Sequence, residues 1–327
     1  MLQELVIYWA DNHQSVIFFR SMSHPLSVTS FSSNLKVMLK VSSSAMSLST
    51  RPLSKLLGLE ITGLQPSEAA QPENVKMLVQ SLYAHAVVCI RDMELAPGDL
   101  LKIGQSLGQP IHHNEEDLRL DNLPGVMSLS NADQRDDRQL NGGAHWHTDL
   151  IHSDTPASFT LLNAVAVPES GGGTNFANQV AAYNELPSDR RAQADSIMVK
   201  HCYEGRTDGS MPIFEHPLVR PHPITGKKAL YGAAGTGIGI VGMSGEEAVP
   251  ILAGFAEHAI EDRFVYHHNY KLHDLVIWDN SQLLHCADRL QRSTDESSNR
   301  IMHRVSVRGW PRPDGDKLIS AKASADV

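Results

Sequence analysis

The sequence predicts a mainly β fold with inserted helices, arranged as a β-sandwich or jelly roll. The last third of the chain is a succession of short apolar runs separated by turn residues, as expected for strands. These runs lie at 264–270, 274–278, 283–286 and 301–307. Only a few helical segments interrupt the strands. Many short strands with few helices are typical of sandwiches and jelly rolls.

The remaining elements follow from the spacing of apolar residues. Segments with helical periodicity predict helices. They are 72–84, 98–107, 179–197 and 244–262. Short runs rich in β-branched residues predict three earlier strands. They are 86–90, 126–130 and 158–167. The last of these strands ends at Pro168, ahead of a turn of three consecutive glycines.

Composition narrows the class of protein. The 327 residues are 41% apolar and 20% charged, which is typical of a globular chain with a sizeable core. A net charge of −9 argues against a nucleic-acid partner. Three cysteines without a CxxC pair favour a reducing compartment, so a cytoplasmic location is expected. No membrane partner is expected, and a homo-oligomer is left open.

Residues 1–45 differ from the rest and predict a poorly ordered extension before a single domain at 46–327. Two short apolar blocks near the start are too short to span a bilayer. Between Ser21 and Leu59 the chain is rich in serine and has no acidic residue. That composition also fits an organelle transit segment, which is the alternative location. A further alternative is an upstream start before Met46.

A histidine and an aspartate two residues apart predict a metal site. In an extended segment, His147 and Asp149 point to the same face, so one short stretch offers an imidazole and a carboxylate to one cation. His285, between strand-like apolar runs, is the predicted third ligand. Two histidines and one carboxylate leave coordination positions open and suit non-haem Fe(II).

Several motifs in this order resemble the TauD/TfdA family of Fe(II)- and 2-oxoglutarate-dependent dioxygenases, over roughly residues 53–311. They are WHTD at 146–149, GGTNFAN at 172–178, HPLVR at 216–220, WDN at 278–280 with His285, and RIMHR at 300–304. The resemblance implies a double-stranded β-helix core, which is a jelly-roll variant. It also implies an oxidoreductase that uses Fe(2+), 2-oxoglutarate and O2 to hydroxylate a small organic substrate, with release of succinate and CO2.

The resemblance also implies roles for individual residues. Thr174 matches the threonine that hydrogen-bonds 2-oxoglutarate, and Arg300 matches the arginine that binds its distal carboxylate through paired hydrogen bonds. Arg304 matches an arginine that contacts an anionic group of the substrate. His113 and Asn131 are two further candidate substrate contacts. Asp279 and Asn280 are expected to form a turn and not to coordinate metal.

The likeness to the taurine pocket is incomplete. An asparagine of the family falls on Gly143 here, and an aromatic residue falls near Thr236. The expected substrate is therefore a small molecule with an anionic group, and taurine itself is not expected.

Three alternatives belong to other classes. His145, His147 and Asp149 form HxHxD, the start of a metallo-β-lactamase-type zinc hydrolase signature, but position 150 is leucine where that signature continues with histidine. The stretch 237–242 satisfies GxGxxG, yet it lacks the βαβ context of a nucleotide site, so a flexible loop is expected there. A relative that binds ligand without turnover is the third alternative.

Overall fold

The computed structural model describes residues 4–10, 14–20, 48–112, 118–120, 122–132, 140–203, 208–233, 235–313 and 318–319. The chain divides into two compact units, Met1–Ser44 and Ala45–Val327. In the first unit, β1 (Glu4–Ala10) and β2 (Gln14–Arg20) pair antiparallel. All other elements belong to the second unit.

The second unit is mainly β. Its strands are β3 (Ser49–Pro52), β4 (Leu59–Thr62), β5 (Val87–Ile90), β6 (Gln109–Pro110), β7 (Arg119–Leu120), β8 (Leu123–Ser130), β9 (Phe159–Ala166), β10 (Thr174–Asn178), β11 (Met198–Cys202), β12 (Ile213–Pro217), β13 (Val219–Pro221), β14 (Lys228–Leu230), β15 (Gly237–Ile240), β16 (Val265–His268), β17 (Leu275–Asp279), β18 (Leu283–Ala287), β19 (Ile301–Arg308), β20 (Trp310–Pro311) and β21 (Leu318–Ile319). Its α-helices are α1 (Pro72–His85), α2 (Pro97–Leu107), α3 (Gln179–Asn184), α4 (Ser188–Asp195) and α5 (Gly245–Ala259). Short 3-10 helices cover Pro66–Glu68, Asp262–Phe264 and Glu296–Ser298.

Two sheets form the jelly-roll core. The larger sheet has the order β3-β4-β5-β17-β9-β19-β8-β7, and β6 pairs with β19. A smaller sheet, β16-β10-β18, packs against it. The rings of Phe176 on β10 and Trp278 on β17 lie 5.6 Å apart in the core between the two sheets. The predicted fold class is therefore confirmed.

Both faces of the larger sheet are buried, as the side chains of β17 show. Val276 and Trp278 point toward the smaller sheet, whereas Leu275 and Ile277 join the core on the opposite side. Alternate residues of a strand point to opposite faces, so a continuous apolar run is needed when both faces are covered. Helices α1 and α2 cover the second face.

The helices begin where local chemistry favours it. Pro72 and Pro97 each occupy the first turn, where the missing N–H costs no hydrogen bond. Ser244 caps α5, and its side chain and that of Glu247 form a reciprocal capping box. Among the described residues, none of the helices combines the length and the apolar character that crossing a membrane requires.

Two predictions about local structure are wrong. The helix predicted at 179–197 is two helices, α3 and α4, because Pro187 cannot continue a helix and disfavours a helical residue before it. The loop predicted at the GxGxxG stretch contains strand β15 instead, which pairs antiparallel with β11. That pairing is not the parallel βαβ unit of a nucleotide site.

Candidate active site

The three predicted metal ligands converge between the two sheets. His147 and His285 form an isolated antiparallel bridge, with N–H to carbonyl distances of 2.9 Å in both directions. Asp149 follows two residues after His147. Its carboxylate oxygens lie 3.7 Å from His147 Nε2 and 3.6 Å from His285 Nε2. One ligand atom of each residue lies within 4.8 Å of the others, so a single cation fits among them.

The imidazole of His147 is prepared for metal binding. Its Nδ1 lies 2.7 Å from the carbonyl oxygen of His145, so Nδ1–H donates to that oxygen and Nε2 keeps a lone pair directed at Asp149. Burial, together with the neighbouring His285 imidazole, lowers the pKa of His147 to about 3. The ring is therefore neutral at physiological pH, which is the form that binds a metal ion.

The Asp149 carboxylate is held from two sides. The hydroxyl of Thr160 donates to its Oδ2 at 2.6 Å, and Nη2 of Arg304 donates to its Oδ1 at 2.6 Å. Burial alone raises the pKa of this carboxyl, but the Arg304 guanidinium and the two imidazoles outweigh burial and hold the pKa well below its ordinary range. Asp149 is therefore an anion with a fixed orientation.

Asn280 holds the groups that surround the Asp149 carboxylate. Its side-chain oxygen accepts from the Asp149 backbone N–H at 3.3 Å and from the Trp278 indole at 3.2 Å. Its amide nitrogen donates to the Thr160 hydroxyl at 3.1 Å. The sequence predicted a turn at Asn280 and gave no role to Thr160. Thr160 lies in a strand with no motif around it, so only the folded structure brings it to Asp149.

A cavity of about 450 Å³ opens beside the three ligands. Three of the other residues named from the sequence also line it: Thr174, Arg300 and Arg304. Thr174 starts β10, and Arg300 directly precedes β19. The structure thus brings the predicted metal ligands and the predicted co-substrate residues to one cavity.

Arg300 is buried beside Thr174 without an acidic partner. Its Nε donates to the carbonyl oxygen of Gly172 at 2.7 Å, and no carboxylate of the described residues forms a salt bridge with it. Burial lowers the pKa of the guanidinium. Gly172 has φ +73°, and a Cβ there would lie 2.9 Å from Arg300 Cδ, so both backbone and space call for glycine.

Tyr270 is a further polar residue beside Thr174 and Arg300, and no motif in the sequence predicts it. Its hydroxyl lies 3.0 Å from that of Thr174, and its ring lies 5.7 Å from the Arg300 guanidinium carbon. Burial raises the pKa of Tyr270 to about 12, so the hydroxyl stays protonated. The only signal in the sequence was an aromatic residue at the end of the strand predicted at 264–270.

Asn131 does not line the cavity, although Leu129 and Ser130 directly before it do. Its side-chain oxygen accepts from the Arg300 backbone N–H at 2.6 Å, and its amide donates to the carbonyl oxygens of Gln291 and Ser298. These bonds use the side chain to hold the segment before β19, so the structure does not bring Asn131 to the cavity wall, and the predicted substrate contact stays a prediction. His113 lies outside the described residues.

The donor set fits a divalent iron ion. Neutral imidazole nitrogens and one carboxylate are the ligands of the facial triad, and the adjoining cavity leaves room for further ligands. A family profile described as "Taurine catabolism dioxygenase TauD, TfdA family" matches residues 49–306. The chain belongs to the TauD/TfdA family.

Curated relatives of this TauD/TfdA protein share about a quarter of its sequence. An α-ketoglutarate-dependent 2,4-dichlorophenoxyacetate dioxygenase of Cupriavidus pinatubonensis is 27% identical and is matched over 80% of this chain and 98% of its own. An α-ketoglutarate-dependent sulfate ester dioxygenase of Pseudomonas putida is 27% identical over 81% and 91%. An α-ketoglutarate-dependent sulfonate dioxygenase of Saccharomyces cerevisiae is 28% identical over 73% and 62%.

Solved structures agree. A taurine dioxygenase from Burkholderia xenovorans superposes with a TM-score of 0.69 at 27% identity, covering 86% of this chain and all of that one. AAD-2, solved with Mn(II) and N-oxalylglycine, gives a TM-score of 0.67 at 27% identity, covering 84% and 99%. This TauD/TfdA protein is a 2-oxoglutarate-dependent dioxygenase, and the comparisons give no support to the zinc-hydrolase alternative.

Proposed function

We propose that His147, Asp149 and His285 bind Fe(II), and that 2-oxoglutarate occupies the adjoining cavity. In this proposal the enzyme hydroxylates a small organic substrate that carries an anionic group. The observation that carries it is the convergence on one cavity of three metal-ligating side chains and a buried arginine that forms no salt bridge with a described carboxylate. A buried guanidinium without a carboxylate partner is unfavourable unless a bound anion completes it.

Arg300 and Thr174 are the proposed co-substrate contacts. The guanidinium of Arg300 would pair with the distal carboxylate of 2-oxoglutarate, because one of its N–H groups is fixed on Gly172 and the whole group is thereby oriented. The Thr174 hydroxyl would hydrogen-bond the same carboxylate. Tyr270, whose hydroxyl contacts Thr174, would orient that hydroxyl toward the ligand.

The protein residues around the metal site hold charge and orientation. Bound iron would supply the redox chemistry by which dioxygen oxidises both 2-oxoglutarate and the substrate, with one oxygen atom entering succinate and the other the hydroxylated product. His147 stays neutral and keeps Nε2 available because its Nδ1–H is used by a carbonyl oxygen. Thr160 and Arg304 keep the Asp149 carboxylate ionised and fixed.

The lining of the cavity supports a substrate with an apolar body and an anionic group. Much of the wall is aliphatic: Leu118, Met127, Leu129, Leu140, Leu162 and Leu290. The guanidinium of Arg304, which lines the cavity, is the proposed anchor for the anion. The names of the curated relatives give phenoxyacetate, sulfate ester and sulfonate substrates, which are all anionic.

Anaerobic visible spectroscopy tests the proposal. Fe(II) and then 2-oxoglutarate are added to metal-free protein, and a weak metal-to-ligand charge-transfer band is expected for the wild type. The band should be absent in His147→Ala and present in the control His112→Ala, since His112 is exposed and does not line the cavity. Succinate release is then measured with apolar carboxylates, sulfonates and sulfate esters as substrates.

Two outcomes would oppose the proposal. A band that persists in His147→Ala would place 2-oxoglutarate and iron elsewhere. The wild type could instead show the band but release succinate only with neutral substrates and with none of the anionic ones. That result would exclude anionic molecules as the substrate class.

A further inference from the structure

A second group of metal-ligating side chains lies apart from the iron triad. Cys89 on β5, His268 at the end of β16 and Asp274 directly before β17 each offer one ligand atom, and these atoms lie within 4.8 Å of one another. The relative exposures of the three residues are 0%, 1% and 0%. Three chain segments thus bring a thiol, an imidazole and a carboxylate together in the interior.

Two atoms of this group are buried without a hydrogen-bond partner. They are Nε2 of His268 and Oδ1 of Asp274. The other ring nitrogen of His268 lies 3.0 Å from the Tyr266 hydroxyl, so when Nδ1–H donates to that oxygen, Nε2 presents a lone pair to the group. Buried polar atoms are nearly always satisfied, so two unsatisfied atoms in one group of close ligand-bearing side chains call for an explanation, and a bound ion is one.

The Asp274 carboxylate of this group is held in place by its neighbours. Arg91 donates to its Oδ2 at 2.5 Å, and the Lys271 backbone N–H donates to the same oxygen at 2.7 Å. Burial raises the pKa of Asp274, but these hydrogen bonds outweigh burial and lower the pKa, so the carboxylate is available as an anionic ligand.

We propose that Cys89, His268 and Asp274 bind a structural Zn²⁺ ion. Thiolate, imidazole and carboxylate are all common zinc ligands, and zinc imposes little geometric preference of its own. Bonds of about 2.0–2.3 Å in a tetrahedral site separate ligand atoms by roughly 3.3–3.8 Å. The 3.7 Å between His268 Nε2 and Asp274 Oδ2 already falls in that range.

Binding involves no change of oxidation state. The S–H bond of Cys89 breaks, the sulfur coordinates zinc as a thiolate, and the proton passes to solvent. The ion joins β5, β16 and the segment before β17. This position is close to the co-substrate wall, because His268 pairs with Thr174 in the sheet and the ring of Tyr270 lies 4.8 Å from that of His268.

Cobalt substitution tests the site separately from the iron triad. Protein is produced in minimal medium supplemented with Co²⁺, so that the ion is present while the chain folds around this buried group. A near-ultraviolet thiolate-to-cobalt charge-transfer band is expected, and only a site with a cysteine ligand gives it. His147, Asp149 and His285 contain no thiol, so the band should be unchanged in His147→Ala.

Matched cysteine variants complete the test. Cys89→Ser should abolish the band, whereas Cys202→Ser, at another buried cysteine, should keep it. After growth on zinc, the wild type and His147→Ala should each retain about one zinc per chain through chelator treatment, and His268→Gln should retain none. Absence of both the cobalt band and retained zinc in the folded wild type would overturn the proposal. A band that survives in Cys89→Ser would do so as well.

Discussion

The guanidinium of Arg304 donates a hydrogen bond of 2.6 Å to the carboxylate of Asp149. The residue expected to contact substrate therefore also holds a proposed iron ligand. Arg304 lies in β19 and lines the cavity, so a substrate anion bound there would share the guanidinium with Asp149. Substrate binding and the orientation of the proposed metal ligand would then be connected through one side chain.

Arg304→Gln is expected to weaken Fe(II) binding roughly 10- to 100-fold, the usual cost of losing a partner of a metal ligand. Without the guanidinium, burial raises the pKa of Asp149, so protons compete with iron and the loss grows as the pH falls. Anaerobic Fe(II) titration at several pH values measures this. The control is Arg308→Gln, on the same strand but outside the cavity. If the iron affinity of Arg304→Gln is unchanged, Arg304 does not contribute to metal binding, and only its proposed role in contacting the substrate remains.

Arg300→Gln should leave Fe(II) binding intact and weaken 2-oxoglutarate binding roughly 10- to 100-fold, because charge-assisted hydrogen bonds contribute about 1.5–3 kcal/mol. The charge-transfer band provides the readout when 2-oxoglutarate is titrated into the iron-loaded protein. Arg308→Gln again serves as the control. An unchanged dissociation constant for 2-oxoglutarate would exclude Arg300 as its partner.

Asn131→Ala separates a positioning role from a substrate contact. The variant loses the bond to the Arg300 backbone and leaves the carbonyl oxygens of Gln291 and Ser298 without their donor, so a loss of about 1–3 kcal/mol in the free energy of unfolding is expected. The dissociation constant for 2-oxoglutarate should rise, because Arg300 is no longer held. If only the KM for the primary substrate rises, the result would support the predicted substrate contact and oppose the positioning role.

Glu60 should contribute to loss of stability in acid. Burial raises its pKa, but hydrogen bonds from Arg51 and Arg91 outweigh burial and lower the pKa below its ordinary value of 4.5. The unfolded chain therefore takes up the proton at a higher pH than the folded chain. The stabilisation is complete above pH 4.5 and is lost as the pH falls through the lowered value.

Glu60→Gln should accordingly cost about 1.5–3 kcal/mol of unfolding free energy at neutral pH and flatten the decline in acid. Urea unfolding of metal-free protein between pH 7 and pH 3 measures both effects. Glu68→Gln, at an exposed position, is the matched control and should change neither. An equally steep decline in Glu60→Gln would assign the acid sensitivity to other carboxylates.

The group of three residues proposed to bind metal could be predicted because its signal is local. His147 and Asp149 stand two apart, and His285 follows an apolar strand with a recognisable motif before it. The jelly roll could be predicted because continuous apolar runs such as β17 identify strands that are buried on both faces. These features depend on neighbours in sequence, which periodicity and motifs describe.

What could not be predicted depends on contacts between distant segments. Thr160 on β9 contacts Asp149 only in the folded chain, and no pattern around Thr160 predicts this contact. Cys89 is separated from His268 and Asp274 by most of the domain, so no ligand spacing exists to recognise. Asn131 was a candidate substrate contact, and only the folded structure shows that its side chain hydrogen-bonds the backbone before β19.

The bridge between His147 and His285 affects how the proposed metal site behaves when no ion is bound. Two main-chain hydrogen bonds hold these residues side by side, and neither bond depends on a bound ion. We therefore expect the backbone positions of the proposed ligands to persist when no metal is bound. Loading and reloading the proposed site with a metal ion would then require no refolding of the chain.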